Sequence, residues 1–235
     1  MRPRDTGHPS NMQGKFITFE GGEGTGKSTQ AAMLALRLES LGLAVQLTRE
    51  PGGSPGAEII RHVLLTGAAK PLGADVEAML FAAARDDHVQ CTILPALRSG
   101  KWVVCDRFAD STRVYQGILG RVDQRLINVL ERVSVGSLAP DLTVILDLPV
   151  QLGLERAKLR RGNIQADRFE GEGAEFHEKL REAYLAIAAS EPDRCVVIDA
   201  SASKDAVAKS VWYAVQSRLD PSAVRRVDET AAVKA

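Results

Sequence analysis

The chain carries no surplus of charge: among its 235 residues Lys plus Arg count 30 and Asp plus Glu count 30, a formal net charge of zero. Without a basic excess no global field draws a polyanion, so a nucleic-acid polymer is not an expected partner. Cysteine is scarce. Cys91, Cys105 and Cys195 are odd in number, far apart and set in apolar or helical surroundings, which suits reduced core thiols better than a disulfide frame or a metal cluster. No run approaches the roughly 20 consecutive apolar residues that cross a bilayer. The opening residues, MRPRDTGHPSNMQG, lack the apolar segment of a secretory signal, so a membrane partner is not expected and the expected location is cytoplasmic. Internal repeats and a linker that would split the core are also missing, and the length suits one large α/β domain.

What the chain does have is GGEGTGKS at positions 21 to 28, the spacing of a phosphate-binding P-loop. Residues 15–20 (KFITFE) read as a strand entering the loop and residues 29–41 as a helix leaving it. In that setting the backbone N–H groups of the glycine-rich turn and the positive helix end converge on phosphate oxygens. Lys27 would reach between the β and γ phosphates, and the Ser28 hydroxyl would hold Mg²⁺.

Residues 1–14 and 219–235 are polar or weakly patterned and read as loosely ordered tails without chemistry, leaving 15–218 as the domain. Within it, strands are expected at 15–20, 44–48, 101–105, 142–148 and 195–198. Helices are expected at 29–41, 56–65, 75–97, 123–133, 150–160, 174–189 and 204–219. The alternation implies an α/β fold with a five-stranded parallel sheet and helices on both faces. Ligands in such sheets collect outside the carboxyl ends of the strands, and here those ends are polar: the P-loop, then Arg49-Glu50-Pro51-Gly52-Gly53, then Asp106-Arg107-Phe108.

Asp106 follows the apolar strand KWVVC, where an acid can assist Mg²⁺ or cap a helix; beside the P-loop the metal role is favoured. Arg49 and Arg107 each offer a planar fork to a phosphate or a partner for a surface carboxylate. Phe81 and Arg85 lie four apart on one helix face, a slot for a flat base, although Phe at helical spacing is also ordinary core. Arg156, Lys158, Arg160, Arg161 and Arg168 form a basic cluster punctuated by Gly162, Gly171 and Gly173. Over about 158–173 this reads as a mobile lid whose arginines neutralise a transferring group, while Arg156 and Lys158 are also explained as complements to a helix C-terminus.

FEGGEGTGKST, TREPGG, MLFAAARDDHV, Asp106-Arg107 with DSTRVYQG, and ERAKLRRGNIQADRFE together resemble the thymidylate kinases, in order and over nearly the whole domain. The resemblance implies transfer of the γ-phosphoryl of ATP to dTMP with Mg²⁺, giving dTDP and ADP for dTTP biosynthesis. It also implies a P-loop kinase fold and a homodimer whose small-molecule partners are dTMP and ATP. Carried over, Gly21, Gly22, Glu23, Gly24, Thr25, Gly26, Lys27, Ser28 and Thr29 hold the ATP phosphates, with Ser28 and Asp106 on the metal. Glu23 meets the sugar 3′-hydroxyl, Arg49 and Arg107 grip the acceptor phosphate, and Phe81 stacks on thymine. Arg85 reaches the O4 edge, Thr112 contacts N3, Tyr115 lies against the 2′ carbon, and Ser111 and Gln116 complete the substrate set. Members of the family place a catalytic arginine either in the P-loop, where this chain has Gly24, or in the lid, where it has Arg160, Arg161 and Arg168. The chain resembles the bacterial lid-arginine type, with Arg161 the first choice. His62, His88 and His177 read as solvated helix residues, and Arg113 departs from the small or polar residue expected there. A kinase for another nucleoside monophosphate, and a P-loop switch without metabolic turnover, remain the alternatives.

Overall fold

In the computed structural model, residues 14–161, 169 and 171–221 are described, without the side chain of Arg161. Strands β1 (Phe16–Gly21), β2 (Val45–Arg49), β3 (Trp102–Asp106), β4 (Leu142–Asp147) and β5 (Cys195–Asp199) form one parallel sheet in the order β2-β3-β1-β4-β5. Between them run α1 (Lys27–Ser40), α2 (Pro55–Leu65), α3 (Ala74–His88), α4 (Leu94–Arg98), α5 (Ala109–Thr112), α6 (Gln124–Ser134), α7 (Val150–Arg161), α8 (Ala174–Ser190) and α9 (Lys204–Leu219).

Strand β1 is central and its side chains alternate between two apolar layers, as period-two geometry requires of a strand buried on both faces. Ile17 and Phe19 pack with Leu34 and Leu38 of α1 and Val211 and Val215 of α9. Phe16 points the other way, toward Ile93, Leu97 and Phe108. On that second face Ile145 of β4 meets Leu180 and Tyr184 of α8. The register then aligns the strand ends: Phe19 and Arg49 both pair with Asp106, and Gly21 pairs with Leu146. Arg49, Asp106 and the P-loop therefore leave the sheet along one rim.

The pattern expected to be one helix over 75–97 is α3, a π-helical turn at Val89–Ile93 and α4. Pro95, in the first turn of α4, cannot donate a backbone hydrogen bond, and the turn before it is widened, the Leu94 N–H reaching Val89 O. A second π-helical stretch, Arg113–Leu119, extends α5 and closes with Gly120 N–H on Tyr115 O at 2.8 Å. Such wide turns shift the apolar repeat off three and four, which is why this helix had no periodic signature. His88 and His177, expected to be solvated, are buried, while His62 is exposed. Among the described residues no helix is long and apolar enough to cross a membrane.

Candidate functional site

The P-loop joins β1 to α1 without a side-chain cap, leaving the first backbone N–H groups of α1 directed outward. Lys27 Nζ donates to Gly22 O at 2.6 Å, so its ammonium stands within the curve of the loop. The loop also packs against α7. A Cβ on Gly24, whose φ is +68°, would stand 1.9 Å from Gly153 O, so no side chain fits there.

Beside the loop, the end of β3 turns sharply. Arg107 has φ +68°, a left-handed conformation that costs a non-glycine residue on the order of 1 kcal/mol or more. Its side chain offsets that cost by donating to Glu23 Oε1 at 2.6 Å, Tyr184 OH at 3.1 Å, and Gly21 O and Ser111 Oγ at 3.2 Å each. Burial would raise the Glu23 carboxyl, but the Arg107 guanidinium and then Lys27 outweigh it and hold the pKa at about 2. Beneath them Glu20 accepts from Phe108 N–H (2.8 Å), Ser111 Oγ (2.7 Å) and Tyr184 OH (3.0 Å). Burial and the Asp110 charge push Glu20 up to about 7 despite the opposing pull of Arg107. For Lys27, burial and the Arg107 charge lower the pKa to about 8.

Ser28 Oγ donates to Asp106 Oδ2, and Asp106 Oδ1 is buried with no hydrogen-bond partner among the described residues. No group of three His, Cys, Asp or Glu suited to a metal occurs among those residues. A hydroxyl and one carboxylate oxygen with spare acceptor capacity fit Mg²⁺, which takes one or two protein ligands and fills its sphere with phosphate and water.

These groups border one cavity of about 370 Å³. The structure brings to it Glu23, Gly24, Gly26, Lys27, Ser28, Thr29, Arg49, Phe81, Arg85, Asp106, Arg107, Ser111, Thr112, Tyr115, Gln116 and Arg160. Gly21, Gly22 and Thr25 lie in the loop but face a smaller hollow toward α8. Arg49 also makes the exposed ion pair that its alternative reading described, with Glu58 at 3.0 Å. Arg85 is buried and donates through Nε to Glu50 at 2.8 Å and through Nη2 to Thr112 Oγ1 at 2.9 Å and Phe108 O at 3.2 Å. Tyr115 OH donates to Glu23 at 3.2 Å, and the Phe81 and Phe169 ring centres are 6.3 Å apart at the cavity wall. Arg156 donates to Ala200 O at 2.9 Å, tying α7 to the turn after β5. Arg113 pairs with Asp110 at 2.9 Å and Glu191 at 2.7 Å, away from the cavity. The Arg161 side chain and Arg168 lie outside the described residues.

Glu20 and Tyr184 are not singled out in the sequence, Glu50 appears there only within a polar strand end, and His88 only as a solvated helix residue. A carboxylate ending a strand buried on both faces is the one signal that pointed to Glu20; the others need the fold, since their partners are 35 to 164 residues distant.

A family model described as thymidylate kinase matches residues 19–211. The thymidylate kinase of Nitrobacter winogradskyi is 64% identical over 208 residues, covering 88% of this chain and 90% of that one. That of Bradyrhizobium diazoefficiens is 61% identical over 213 residues, covering 91% and 93%. The crystal structure of thymidylate kinase from Ehrlichia chaffeensis superposes with a TM-score of 0.69 at 33% identity, covering 86% of this chain and 98% of that chain.

The depressed Lys27 pKa has a direct consequence. A triphosphate needs the ammonium, which the free protein loses as pH rises through about 8. ATP affinity should therefore fall above that pH, approaching tenfold per pH unit, with proton uptake on binding. Lys27→Arg, always charged, should flatten the profile. Calorimetry from pH 7 to 9.5 measures both; a flat wild-type profile contradicts the shift.

Proposed function

The chain belongs to the thymidylate kinase family and is a phosphoryl-transfer enzyme, and we propose that it moves the γ-phosphoryl of ATP onto the 5′-phosphate of dTMP. The observation that carries this reading is that Lys27 and Arg107 border one cavity, which Glu23 also lines, rather than two separate hollows. A donor phosphate on the P-loop and an acceptor phosphate on Arg107 then meet end to end. The acceptor oxygen is already ionised, so no nucleophilic Ser, His or Cys and no strong base is needed; alignment and charge neutralisation supply the rate.

Lys27 and the loop amides take the β and γ groups, and Arg107 and Arg49 hold the acceptor. Ser28 and Asp106 would hold Mg²⁺, which neutralises charge on the β and γ oxygens. Phe81 forms a wall for the base, Arg85 with Thr112 its polar edge, Tyr115 with Glu23 the sugar contact, and Ser111 and Gln116 the remaining lining. The span read as a lid, about 158–173, includes residues 162–168 and 170, which lie outside the described residues. Because no side chain fits at Gly24, the catalytic arginine comes from Arg160, Arg161 or Arg168. Of these, Arg160 borders the cavity.

A homodimer fits the outer layer of α2, α3 and α6, whose neighbouring helices leave Ile59, Met79, Val129 and Val133 exposed. Light scattering should give twice the 25.3 kDa chain mass, and Ile59→Asp should halve it. A monomer at micromolar concentration removes this assembly.

ADP release measured with dTMP, dUMP, dCMP and dGMP tests the acceptor. dTMP should lead in kcat/KM, and preference for dGMP would sink the assignment. Arg161→Ala should lower kcat by roughly 10³-fold with little change in dTMP affinity. If only KM moves, Arg160 or Arg168 holds the catalytic role.

A further inference from the structure

Arg85 does not stand alone. Behind it runs a buried row of side chains that takes no part in the transfer described above. Glu50 Oε2 accepts from Arg85 Nε at 2.8 Å, and Glu50 Oε1 lies 3.0 Å from His88 Nδ1. Since a carboxylate only accepts, that imidazole nitrogen carries the proton. On its far side His88 Nε2 lies 2.7 Å from Thr48 Oγ1. Exposure falls from 8% at Thr48 to 7% at Glu50, 3% at Arg85 and 0% at His88, so water does not compete for these bonds.

The row is also clamped from outside. Gly53, with φ +82°, presses its backbone onto it: a Cβ there would stand 2.4 Å from Thr48 Oγ1 and 2.5 Å from His88 Nε2. The Glu50 N–H bonds Asp106 O at 2.9 Å, fixing the Glu50 main chain to the same rim that carries Arg107.

Two consequences follow for Arg85. Its Nε and Nη2 are engaged by Glu50, Phe108 O and Thr112, leaving Nη1 to face a ligand. Glu50 also balances the guanidinium charge, so this end of the cavity offers donors without a net attraction for phosphate. Such a group favours a neutral carbonyl and disfavours an exocyclic amino group, which is the difference between the 4-positions of thymine and cytosine.

We propose that His88, with Thr48 behind it, is a positioning residue for base selection: it fixes the Glu50 carboxylate and thereby the orientation of Arg85, setting the preference for a keto over an amino pyrimidine. This rests on the reading of Arg85 as the base-edge donor, and the variants separate the two.

Steady-state kinetics with dTMP and dCMP on the full chain test it. His88→Ala should lower kcat/KM for dTMP by about tenfold or more, chiefly through KM, and narrow the dTMP to dCMP ratio by a similar factor. His88→Gln, whose amide can donate to Glu50, should keep the ratio within about threefold of wild type. Loss of folded enzyme scales both substrates equally, so an unchanged ratio in His88→Ala overturns the proposal. Should that variant not fold, Thr48→Val removes only the hydroxyl facing Nε2 and should narrow the ratio about threefold; no narrowing overturns it equally. Arg85→Lys tests the foundation. A ratio indifferent to Arg85→Lys removes the base-edge reading itself, whereas one that responds to it but not to His88→Ala removes only the positioning role.

Discussion

The site depends on one half-buried guanidinium. Arg107 leaves β3 in a left-handed conformation and is retained there because its hydrogen bonds reach the end of β1, the P-loop, α5 and α8 at once. Those partners are assembled by the parallel register that sets Phe19 beside Asp106. With Glu20 beneath it and Glu23 at its side, the arginine is compensated in the resting fold. It can turn a donor toward a phosphate without a large electrostatic reorganisation, which is what preorganisation requires.

The charge pattern sorts a ligand along the cavity. Lys27, Arg107 and Arg160 cluster near the P-loop, where phosphate charge is to be met. At the opposite wall Phe81 and the Arg85–Glu50 pair offer an apolar face and donors whose charge is balanced. On the proposed function, a phosphate would gain little at that second end and a base little at the first, which would fix orientation before any chemistry. A buried ion pair such as Arg85–Glu50 contributes modestly to stability. Its worth lies in direction: Glu50 and the Thr112 and Phe108 oxygens leave the guanidinium one way to point.

Much of this was legible in the chain because short-range patterns encode it. GGEGTGKS between an apolar strand and a helical repeat specifies a phosphate cradle through local backbone geometry alone, and five apolar runs separated by helices specify a parallel sheet. Phe81 and Arg85 were placed together by helical spacing, and the cavity holds both. What stayed hidden depends on long-range closure. His88 looks like any polar residue in the last turn of a helix until the TREPGG segment folds over it, and Tyr184 is 164 residues from the carboxylate it serves. The extension of α5 was missed for a different reason, since a widened turn erases the periodicity by which helices are recognised.

The glycine at position 24 links these two scales. Its φ and its approach to Gly153 O exclude a side chain, so position 24 can carry no arginine. The same contact seats the first turns of α7 on the P-loop. Gly153 and Arg160 are seven residues apart, about two helical turns and hence on one face. The backbone contact that denies position 24 a side chain thus references the base of a cationic helix end to the loop itself. Arg160 reaches the cavity from α7 and contributes to the field that keeps Glu23 ionised. An arginine supplied this way is positioned by helix packing rather than by the loop. On the proposed function, that separation would let one element hold phosphate while another brings charge to it.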